Sequence, residues 1–530
     1  MNNNSKMSNI NAPRNLPIGL QDFKSMIEGR YIYVDKTPVI WNLVNKPKGV
    51  YFLSRPRRFG KSLLVSVLYY LFKGEKDLFK NLWIYDKWDF EKEKHPILRF
   101  DLSNIDTLSL DNIHESLLYA INQNAKTHDV EITQKTINTS FSELIQNVEQ
   151  KYNKPVVILI DEYDKPILDH FLKDDVEKVR EILRQFYGVL KSQDAYIRFL
   201  FMTGISKFSK LSVFSALNNL KDISLNNKYS TLLGLTQKEI EQNFESYLSE
   251  IASSRDLSKS ELLKQIRYWY NGYSFNGSDF VYNPFSLLNF FDEKSFRNYW
   301  MESGSPSFLM NYIKKFKVNG TDLEAREISP NILSAYEIEN APPISFLIQS
   351  GYLTFKEKIE ENFIIGFPNT EVKSSFNELI LENQGVSLVE FPAYGRKIRE
   401  GFSEGNFEKV FNALHNIFSA IPYTLFENTE KYYHAIILTT LWASGIKADA
   451  EDMANLGRSD IVVDYGNKIW VIEIKKDKTP EVALKQIEAK KYCNKYESKR
   501  EKIYAVGLKV DSKDRNVHEF EVKTAQEILQ

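Results

Sequence analysis

Four short apolar segments, separated by stretches of helical periodicity, occupy much of residues 49–204 in this 530-residue chain. They are GVYFLS, ILRFDLS, VVILI and IRFLFMTG, and few charged residues interrupt them. The stretches between them predict helices over 61–72, around 110–124, near 140–151 and over 173–192. Continuous apolar strands that alternate with helices are typical of a parallel sheet with helices on both faces. The chain is therefore expected to begin with an α/β domain.

The first of these strands leads into RPRRFGKSLL, which ends like a phosphate-binding loop at Gly60, Lys61 and Ser62. The usual loop pattern places a glycine where this chain has Arg55. A GKS triplet alone usually marks a surface turn, but here a strand enters it and a helix leaves it. Backbone N–H groups would then converge on phosphates, with Lys61 at the β- and γ-phosphates and Ser62 on Mg²⁺. The loop residues expected to contact the nucleotide are Arg57, Arg58, Phe59, Gly60, Lys61, Ser62 and Leu63. The alternative for the two arginines is that water alone surrounds their side chains.

The second half of this signal is VVILIDEYD. Asp161 follows a buried strand, where parallel sheets place their ligands, and it suits a second contact to Mg²⁺. Glu162 suits a base that polarises the attacking water. The next strand ends at Thr203 and Gly204, with Ser206 close by, and a polar group there can sense the γ-phosphate. DEYD alone usually marks a solvated loop, but these elements follow the order of ATPases with an additional strand between the two nucleotide motifs. We therefore expect ATP and Mg²⁺ here, whereas hydrolysis has less support because spacing identifies no arginine finger.

A second group of charged residues interrupts two apolar strands near the end of the chain. GRSDIVV and WVIEIKK carry Asp460, Glu473 and Lys475, and residues i and i+2 of a strand share a face. Two neighbouring carboxylates repel each other unless a cation lies between them, and Mg²⁺ prefers oxygen ligands. Lys475 would orient a metal-bound water or stabilise the phosphorane charge. E-x-K on a strand is also common on solvent-exposed faces, but residues 465–510 carry 12 Lys and Arg against 6 Asp and Glu, which suits a phosphate backbone.

Several segments together resemble the bacterial AAA-ATPase-like family, whose members commonly carry a C-terminal PD-(D/E)XK nuclease domain. The segments are RPRRFGKS, preceded by YVDKT, and then LIDEYD, WYNGYSF, VYNPFSLLNFF, NYWMESGSPSF, SGYLTF and FPNTEV. The resemblance covers most of the chain and implies that the Arg55–Pro56 entrance is usual. It also implies that Asp460, Glu473 and Lys475 form a PD-(D/E)XK site, with Ser459 where the family name has proline.

The same resemblance implies supporting residues around the second site. Glu430, Gln486 and Glu451 lie at positions that resemble supporting residues of the superfamily. His434 in YYHAI fits a family pattern, but a satisfied histidine on a helix explains it at least as well.

The middle of the chain is predicted to be helical, beginning with a capping box at Thr236 and Glu239. A helix-like FLIQS followed by the strand-like GYLTFKEK and NFIIGFPN indicates a small winged module. Aromatic residues are frequent from 267 to 308, and we interpret them as core in preference to base-stacking surfaces.

The bulk properties set the remaining expectations. A net charge of −1 gives the molecule no overall attraction to polyanions, so any such attraction must be local. The single Cys493 rules out an internal disulfide framework, and the asparagine-rich start is typical of a disordered tail rather than a signal peptide. No segment is long and apolar enough to span a membrane, so we expect a cytoplasmic protein. The expected divisions are a tail (1–14), an AAA-ATPase-like P-loop domain (15–215), a helical and winged-helix middle (216–400) and a restriction-endonuclease-like α/β nuclease domain (401–530).

Three functions remain open at this point. In the first, ATP turnover controls the access of nucleic acid, DNA in preference to RNA, to a Mg²⁺-dependent nuclease. In the second, a nucleotide-switched regulatory protein grips nucleic acid without cutting it, and in the third it is a protein-interaction switch. ATPases of this type often complete their site across a subunit boundary, so a ring or a dimer is one of the assemblies that the sequence allows.

Overall fold

The computed structural model describes residues 14–171, 173–207, 219–302, 312–316, 318–333, 342–454, 457–494, 496 and 502–528. The predicted tail therefore lies almost entirely outside the described residues. The chain forms two compact units, the first comprising Met1–Trp300 with Ala325–Asn369 and the second Met301–Glu324 with Thr370–Gln530. Among the described residues, no helix combines the length and the apolar character that crossing a bilayer requires.

A five-stranded parallel sheet forms the centre of the first unit, as the sequence predicts. Its strands are β1 (Gly49–Ser54), β2 (Ile97–Asp101), β3 (Val156–Asp161), β4 (Ile197–Gly204) and β5 (Lys221–Asp222). They are arranged in the order β2-β3-β4-β1-β5, so β4 separates the phosphate-loop strand from the DEYD strand. Every residue of VVILI is fully buried, and since successive side chains point to opposite faces, both faces of β3 are covered.

Among the described helices of this sheet domain, those that begin at Lys61, Leu110, Ile137 and Val176 follow the predicted periodic stretches, whereas the other three were not predicted. The helices are α1 (Phe23–Glu28), α2 (Thr37–Val44), α3 (Lys61–Lys73), α4 (Leu110–Thr127), α5 (Ile137–Tyr152), α6 (Lys165–His170) and α7 (Val176–Ser192). Helix α3 contacts β2, β3 and β4, whereas α4, α5 and α7 pack on one another.

The rest of the first unit is mainly helical. Its elements are α8 (Gln237–Asn243), α9 (Glu245–Ser254), α10 (Lys259–Tyr270), β6 (Tyr273–Ser274), β7 (Phe280–Val281), α11 (Pro284–Glu293), α12 (Tyr299–Glu302, which ends in the second unit), β8 (Arg326–Ile328), α13 (Pro343–Ser350), β9 (Thr354–Ile359) and β10 (Asn362–Gly366). The capping box of Thr236 and Glu239 begins α8 as predicted. Strands β9 and β10 follow α13 as the sequence predicts, and β8 joins them in an antiparallel sheet of order β8-β10-β9.

The aromatic residues between 267 and 308 that the structure describes lie largely in the core. Tyr270, Phe290 and Phe291 are fully buried, and the rings of Phe290 and Phe296 are 4.5 Å apart. These rings are therefore committed to packing rather than to a surface that could stack on bases.

A mixed sheet of order β11-β12-β13-β14-β15 forms the second unit, and only β13 and β14 run parallel. Its elements are α14 (Thr370–Asn383), α15 (Phe391–Glu404), α16 (Phe407–Ala420), α17 (Glu430–Ala443), β11 (Ala448–Ala454), β12 (Gly457–Tyr465), β13 (Lys468–Lys476), α18 (Pro480–Ala489), β14 (Ile503–Asp511), β15 (Asn516–Thr524) and α19 (Ala525–Ile528). One face of the sheet packs on α15, α16 and α17, and the other packs on α18.

Candidate functional sites

The phosphate-loop segment has the backbone geometry that its sequence predicts. Strand β1 ends at Ser54, and α3 begins at Lys61 directly after Gly60. Gly60 has φ +92°, a left-handed conformation that favours glycine, and Arg58 has φ +66°. The left-handed turns of this loop therefore lie at its C-terminal half, next to the start of the helix.

Lys61 is only 4% exposed, and its ammonium group lies inside the loop. Its Nζ donates to the carbonyl oxygen of Arg55 at 3.3 Å and to that of Pro56 at 3.2 Å. A carboxylate oxygen of Glu162 lies 3.6 Å from the same nitrogen. The structure thus brings Lys61 and Glu162, which lie a hundred residues apart in the sequence, into direct contact.

Asp161 ends β3 beside Asp101, which ends β2. Burial raises the pKa of Asp161 to about 6, and a hydrogen bond from the Ser62 hydroxyl opposes the rise. The charges of Glu162 and Asp101 favour the neutral acid as well. Ser62 and Asp161, the two residues predicted to bind Mg²⁺, therefore lie together, and a hydroxyl with a carboxylate is a donor pair that fits this ion.

Asp164 binds the residues that directly follow β4 and holds this end of the strand in place. The Asp164 carboxylate accepts hydrogen bonds from the backbone N–H of Ser206 at 2.6 Å and from its hydroxyl at 2.8 Å. Burial raises the pKa of Asp164 to about 6. Thr203 is fully buried, and its hydroxyl donates to the carbonyl oxygen of Leu53 at 2.8 Å. The γ-phosphate contact of Thr203 stays a prediction, since its proton already has an acceptor.

The remaining loop residues divide into exposed and buried ones. Arg57 and Arg58 are exposed, and the Arg58 guanidinium lies 4.9 Å from the centroid of the Phe285 ring. Phe59 is 1% exposed, and its ring packs against Tyr273 and Phe275. Phe59 could therefore contact a nucleotide only through its backbone.

The second site lies where the pairing of β12 with β13 ends. Ile461 pairs with Ile472, and one position further the backbone N–H of Asp460 donates to Oε2 of Glu473 at 3.4 Å. Oδ2 of Asp460 in turn accepts from the backbone N–H of Ile474 at 2.8 Å. Side-chain carboxylates thus replace the backbone ladder at this point, and the two acids face each other across the strand ends.

Glu473 is only 1% exposed, although it carries a carboxyl group. Its Oε1 accepts hydrogen bonds from Nζ of Lys475 at 2.8 Å and from Nε2 of Gln486 on α18. Burial raises the pKa of Glu473 to about 7, and the charge of Asp460 adds to the rise. Burial also raises the pKa of Asp460. A cation between the two acids would relieve both effects, and their oxygens fit Mg²⁺.

Lys475 lies on the same face as Glu473, as the i, i+2 spacing predicts. Burial opposes its positive charge, but the hydrogen bond and the charge of Glu473 outweigh burial and raise the pKa of Lys475. The lysine is therefore a cation beside the two acids. Ile472 and Ile474, which alternate with these residues, lie in the opposite hydrophobic core.

Two residues of α17 contact the backbone of the strands that form the second site. Nε2 of His434 lies 2.8 Å from the carbonyl oxygen of Asp460, and Oε2 of Glu430 accepts from the backbone N–H of Lys476 at 3.1 Å. His434 therefore holds the backbone of a candidate ligand, in line with its interpretation as a satisfied histidine. The side chains of Glu451 and Ser459 lie outside the described residues.

Comparison with known proteins assigns an N-terminal and a C-terminal region of the chain to families. Residues 17–214 match a family model described as predicted AAA-ATPase, and residues 428–520 match a model of the PD-(D/E)XK nuclease superfamily. An uncharacterized protein in vnfD 5'region of Azotobacter chroococcum mcd 1 is 34% identical over 529 residues, which cover 96% of this chain and 99% of that protein. The chain belongs to the AAA-ATPase-like family and carries a C-terminal PD-(D/E)XK nuclease superfamily domain. The AAA-ATPase-like domain contains the loop of Lys61 and the acids of β3, and the nuclease superfamily domain contains Asp460, Glu473 and Lys475.

Sequence reasoning missed two acids of the AAA-ATPase-like domain. Asp101 lies beside Asp161 because their strands are paired, and the only signal in the sequence is that it ends an apolar strand. Asp164 is the last residue of DEYD and is fully buried, but nothing in that polar tetrapeptide predicts burial.

Proposed function

We propose that the first unit binds and hydrolyses ATP and that the second unit cleaves nucleic acid, DNA in preference to RNA, in a Mg²⁺-dependent reaction. The observation that carries the proposal is the pair of acids Asp460 and Glu473, of which Glu473 is buried and Asp460 is partly buried, with the Lys475 ammonium 2.8 Å from Glu473. Acids whose pKa burial raises cluster at functional sites, because burial of a carboxyl group is costly unless it is paired or binds a metal ion. The two family matches support the assignment of each half.

In the proposed nuclease reaction, the candidate site residues of the second unit have different roles. Asp460 and Glu473 would hold the ion, and Gln486 and the Ile474 N–H fix the orientation of their carboxylates. Bound Mg²⁺ acidifies a coordinated water and offsets charge on the phosphodiester. The Lys475 ammonium then stabilises the negative charge that develops on the phosphorus oxygens, because it is held beside the reacting group before the reaction begins.

In the structure, the ammonium group of Lys61 donates to the carbonyl oxygens of Arg55 and Pro56 and lies beside the Glu162 carboxylate. We infer that β- and γ-phosphate oxygens replace these partners, which releases the Glu162 carboxylate to accept a proton from water. Ser62 and Asp161 would hold the second Mg²⁺. Turnover of ATP in the first unit then controls when nucleic acid reaches the second site.

Incubation of the purified chain with DNA and, separately, RNA tests the proposal. Each substrate is combined with Mg²⁺, with Mg²⁺ and ATP, and with EDTA, and products are followed on denaturing gels. We expect cleavage of DNA only with Mg²⁺, at a rate that depends on ATP. If no nucleic acid is cut under any condition, the nuclease half of the proposal is wrong.

A second candidate function is nucleotide-switched binding without cleavage. The observation that favours it is the state of Glu473, whose Oε1 already accepts from both Lys475 and Gln486. If these hydrogen bonds persist in the presence of metal, Oε1 of Glu473 cannot coordinate the ion. The site would then bind a phosphate backbone without cleaving it. A salt-sensitive gel shift without metal-dependent loss of substrate would identify this function.

A further inference from the structure

Arg55, which stands where the usual loop has glycine, is one of the most buried side chains of the first unit. It is 1% exposed, and its guanidinium stacks 3.8 Å from the centroid of the Phe275 ring. Nη1 donates to the carbonyl oxygen of Ser224 at 2.7 Å, and Nη2 donates to that of Tyr229 at 3.1 Å. Burial lowers the pKa of Arg55 to about 9, so the group keeps its charge at neutral pH.

The main chain of Arg55 contacts the nucleotide machinery at the same time. Its carbonyl oxygen accepts from Nζ of Lys61 at 3.3 Å, and its N–H donates to the carbonyl oxygen of Gly204 at the end of β4 at 3.1 Å. One residue earlier, the N–H of Ser54 donates to the hydroxyl of Ser224 at 2.9 Å. The loop entrance is thus tied to the segment 224–229 through side chain and backbone together.

Glycine is not required at this position, because the left-handed turns of the loop lie elsewhere. Arg55 has a negative φ, whereas Arg58 and Gly60 have φ +66° and +92°. The space that a glycine would leave is filled by a side chain that donates to the distant carbonyl groups of Ser224 and Tyr229 as well as to that of the adjacent Ser54. A glycine at position 55 would keep the main-chain contacts but lose the side-chain ties.

We propose that Arg55 is a positioning residue of the nucleotide site. Its guanidinium fixes the loop entrance against residues 224–229 and Phe275, and it thereby sets where the carbonyl oxygen that holds Lys61 lies. Lys61 approaches the phosphates from that position. This inference rests on the proposed binding of ATP. It gives a role to a residue that the usual loop pattern, which has glycine at this position, does not include.

The test compares Arg55→Lys and Arg55→Gly with the wild-type full chain. Binding of a fluorescent ATP analogue gives the Kd, and thermal unfolding gives the Tm. Lysine keeps the charge but lacks the planar guanidinium, which reaches the carbonyl groups of Ser224 and Tyr229 while it stacks on Phe275. We therefore expect Arg55→Lys to raise the Kd at least about tenfold. Arg55→Gly restores the usual loop pattern, and we expect it to raise the Kd further.

Arg198→Lys is the matched control, because Arg198 is also buried and holds a carbonyl group, that of Val44, at the opposite end of β4. We expect it to lower the Tm and leave the Kd of the folded protein within about twofold of the wild type. If Arg55→Gly does not fold, Phe275→Leu, which removes the stacked ring at similar volume, takes its place with the same expected rise in Kd.

The outcomes are distinguishable. Wild-type affinity in folded Arg55→Lys and Arg55→Gly would overturn the positioning role while leaving ATP binding intact. Equal effects of the Arg55 and Arg198 substitutions on Kd would also overturn it, because they would point to general stability. Failure of the wild-type chain to bind the analogue would overturn the proposed ATP binding and this inference together.

Discussion

Asp460 and Glu473 lie on opposite strands at the end of the β12–β13 ladder, where the Glu473 carboxylate accepts from the backbone N–H of Asp460 and the Asp460 carboxylate accepts from that of Ile474. The arrangement orients both carboxylates. Burial raises the pKa of Asp460, and the hydrogen bond from the Ile474 N–H opposes the rise. The acids are consequently oriented before any ligand arrives. Such preorganisation is the property that a metal-dependent hydrolase needs.

Lys475→Ala should abolish most cleavage without affecting the ATPase. We expect a loss of at least about a hundredfold in the cleavage rate, because the ammonium group stabilises developing charge on the phosphate. Asp460→Asn should have the same effect on cleavage and should also weaken Mn²⁺ binding measured by calorimetry, which Lys475→Ala should not. Lys397→Ala, at an exposed position of α15 outside the basic segment 465–510, is the control and should cleave normally. Simultaneous loss of ATPase and nuclease activity in Lys475→Ala would show that the chemistry is misplaced.

Lys61→Ala and Glu162→Gln should separate ATP binding from ATP turnover. Removal of the Lys61 ammonium should abolish ATP binding, because the loop would lose its charge at the β- and γ-phosphates. Glu162→Gln should bind ATP normally but hydrolyse it about 10²- to 10⁴-fold more slowly, since the amide cannot accept the proton of water. Phosphate release and equilibrium binding measure the two steps, with Glu115→Gln on the exposed face of α4 as the control. Unchanged turnover in Glu162→Gln would assign the base to another residue.

The parts of the sites that the sequence predicted are those that depend on local periodicity. Glu473 and Lys475 share a face because the period of a strand is two, and GVYFLS forms β1 over the predicted residues. The partners of Arg55 could not be predicted in this way. Its contacts with Ser224 and Tyr229 span 169 and 174 positions of sequence, and no periodic pattern records them.

The orientation of a single polar side chain was equally inaccessible. The sequence places Thr203 at the tip of a strand, where a phosphate-sensing group is expected. The parallel pairing of β1 and β4 puts Thr203 opposite Leu53, and the hydroxyl donates to that carbonyl group. Whether the hydroxyl donates to a neighbouring carbonyl group or to a phosphate depends on the register of the two strands. The apolar pattern of either strand alone does not fix that register.

Metal dependence of cleavage should vary with pH in a defined direction. The pKa of Glu473 is raised to about 7 by burial, so below this pH a proton competes with the metal for the carboxylate. The Mg²⁺ concentration for half-maximal cleavage should therefore rise about tenfold for each pH unit below 7 and level off above it. Titrations of Mg²⁺ between pH 5.5 and 8.5, with EDTA as the zero point, measure this dependence. A requirement for Mg²⁺ that stays constant across the range would contradict it.

Glu378 provides a prediction about stability that does not depend on either proposed activity. This residue of α14 is largely buried, and burial raises its pKa to about 7, although the charge of Arg399 opposes the rise. Between the usual glutamate pKa and pH 7 the folded chain binds more protons than the unfolded chain, so the free energy of unfolding falls as the pH rises through this window. Glu378→Gln cannot ionise and should therefore be more stable than the wild type at pH 8 by about 1–3 kcal/mol, with little difference at pH 5.

Urea unfolding at the two pH values measures the difference for Glu378→Gln. Glu382→Gln, on the exposed face of the same helix, is the control and should leave stability nearly unchanged at both. The sign of the result decides between two roles of the carboxylate. A gain at pH 8 means that its ionised form is destabilising where it lies, whereas a loss at pH 8 would mean that attraction to Arg399 exceeds the cost of burial and would overturn the prediction.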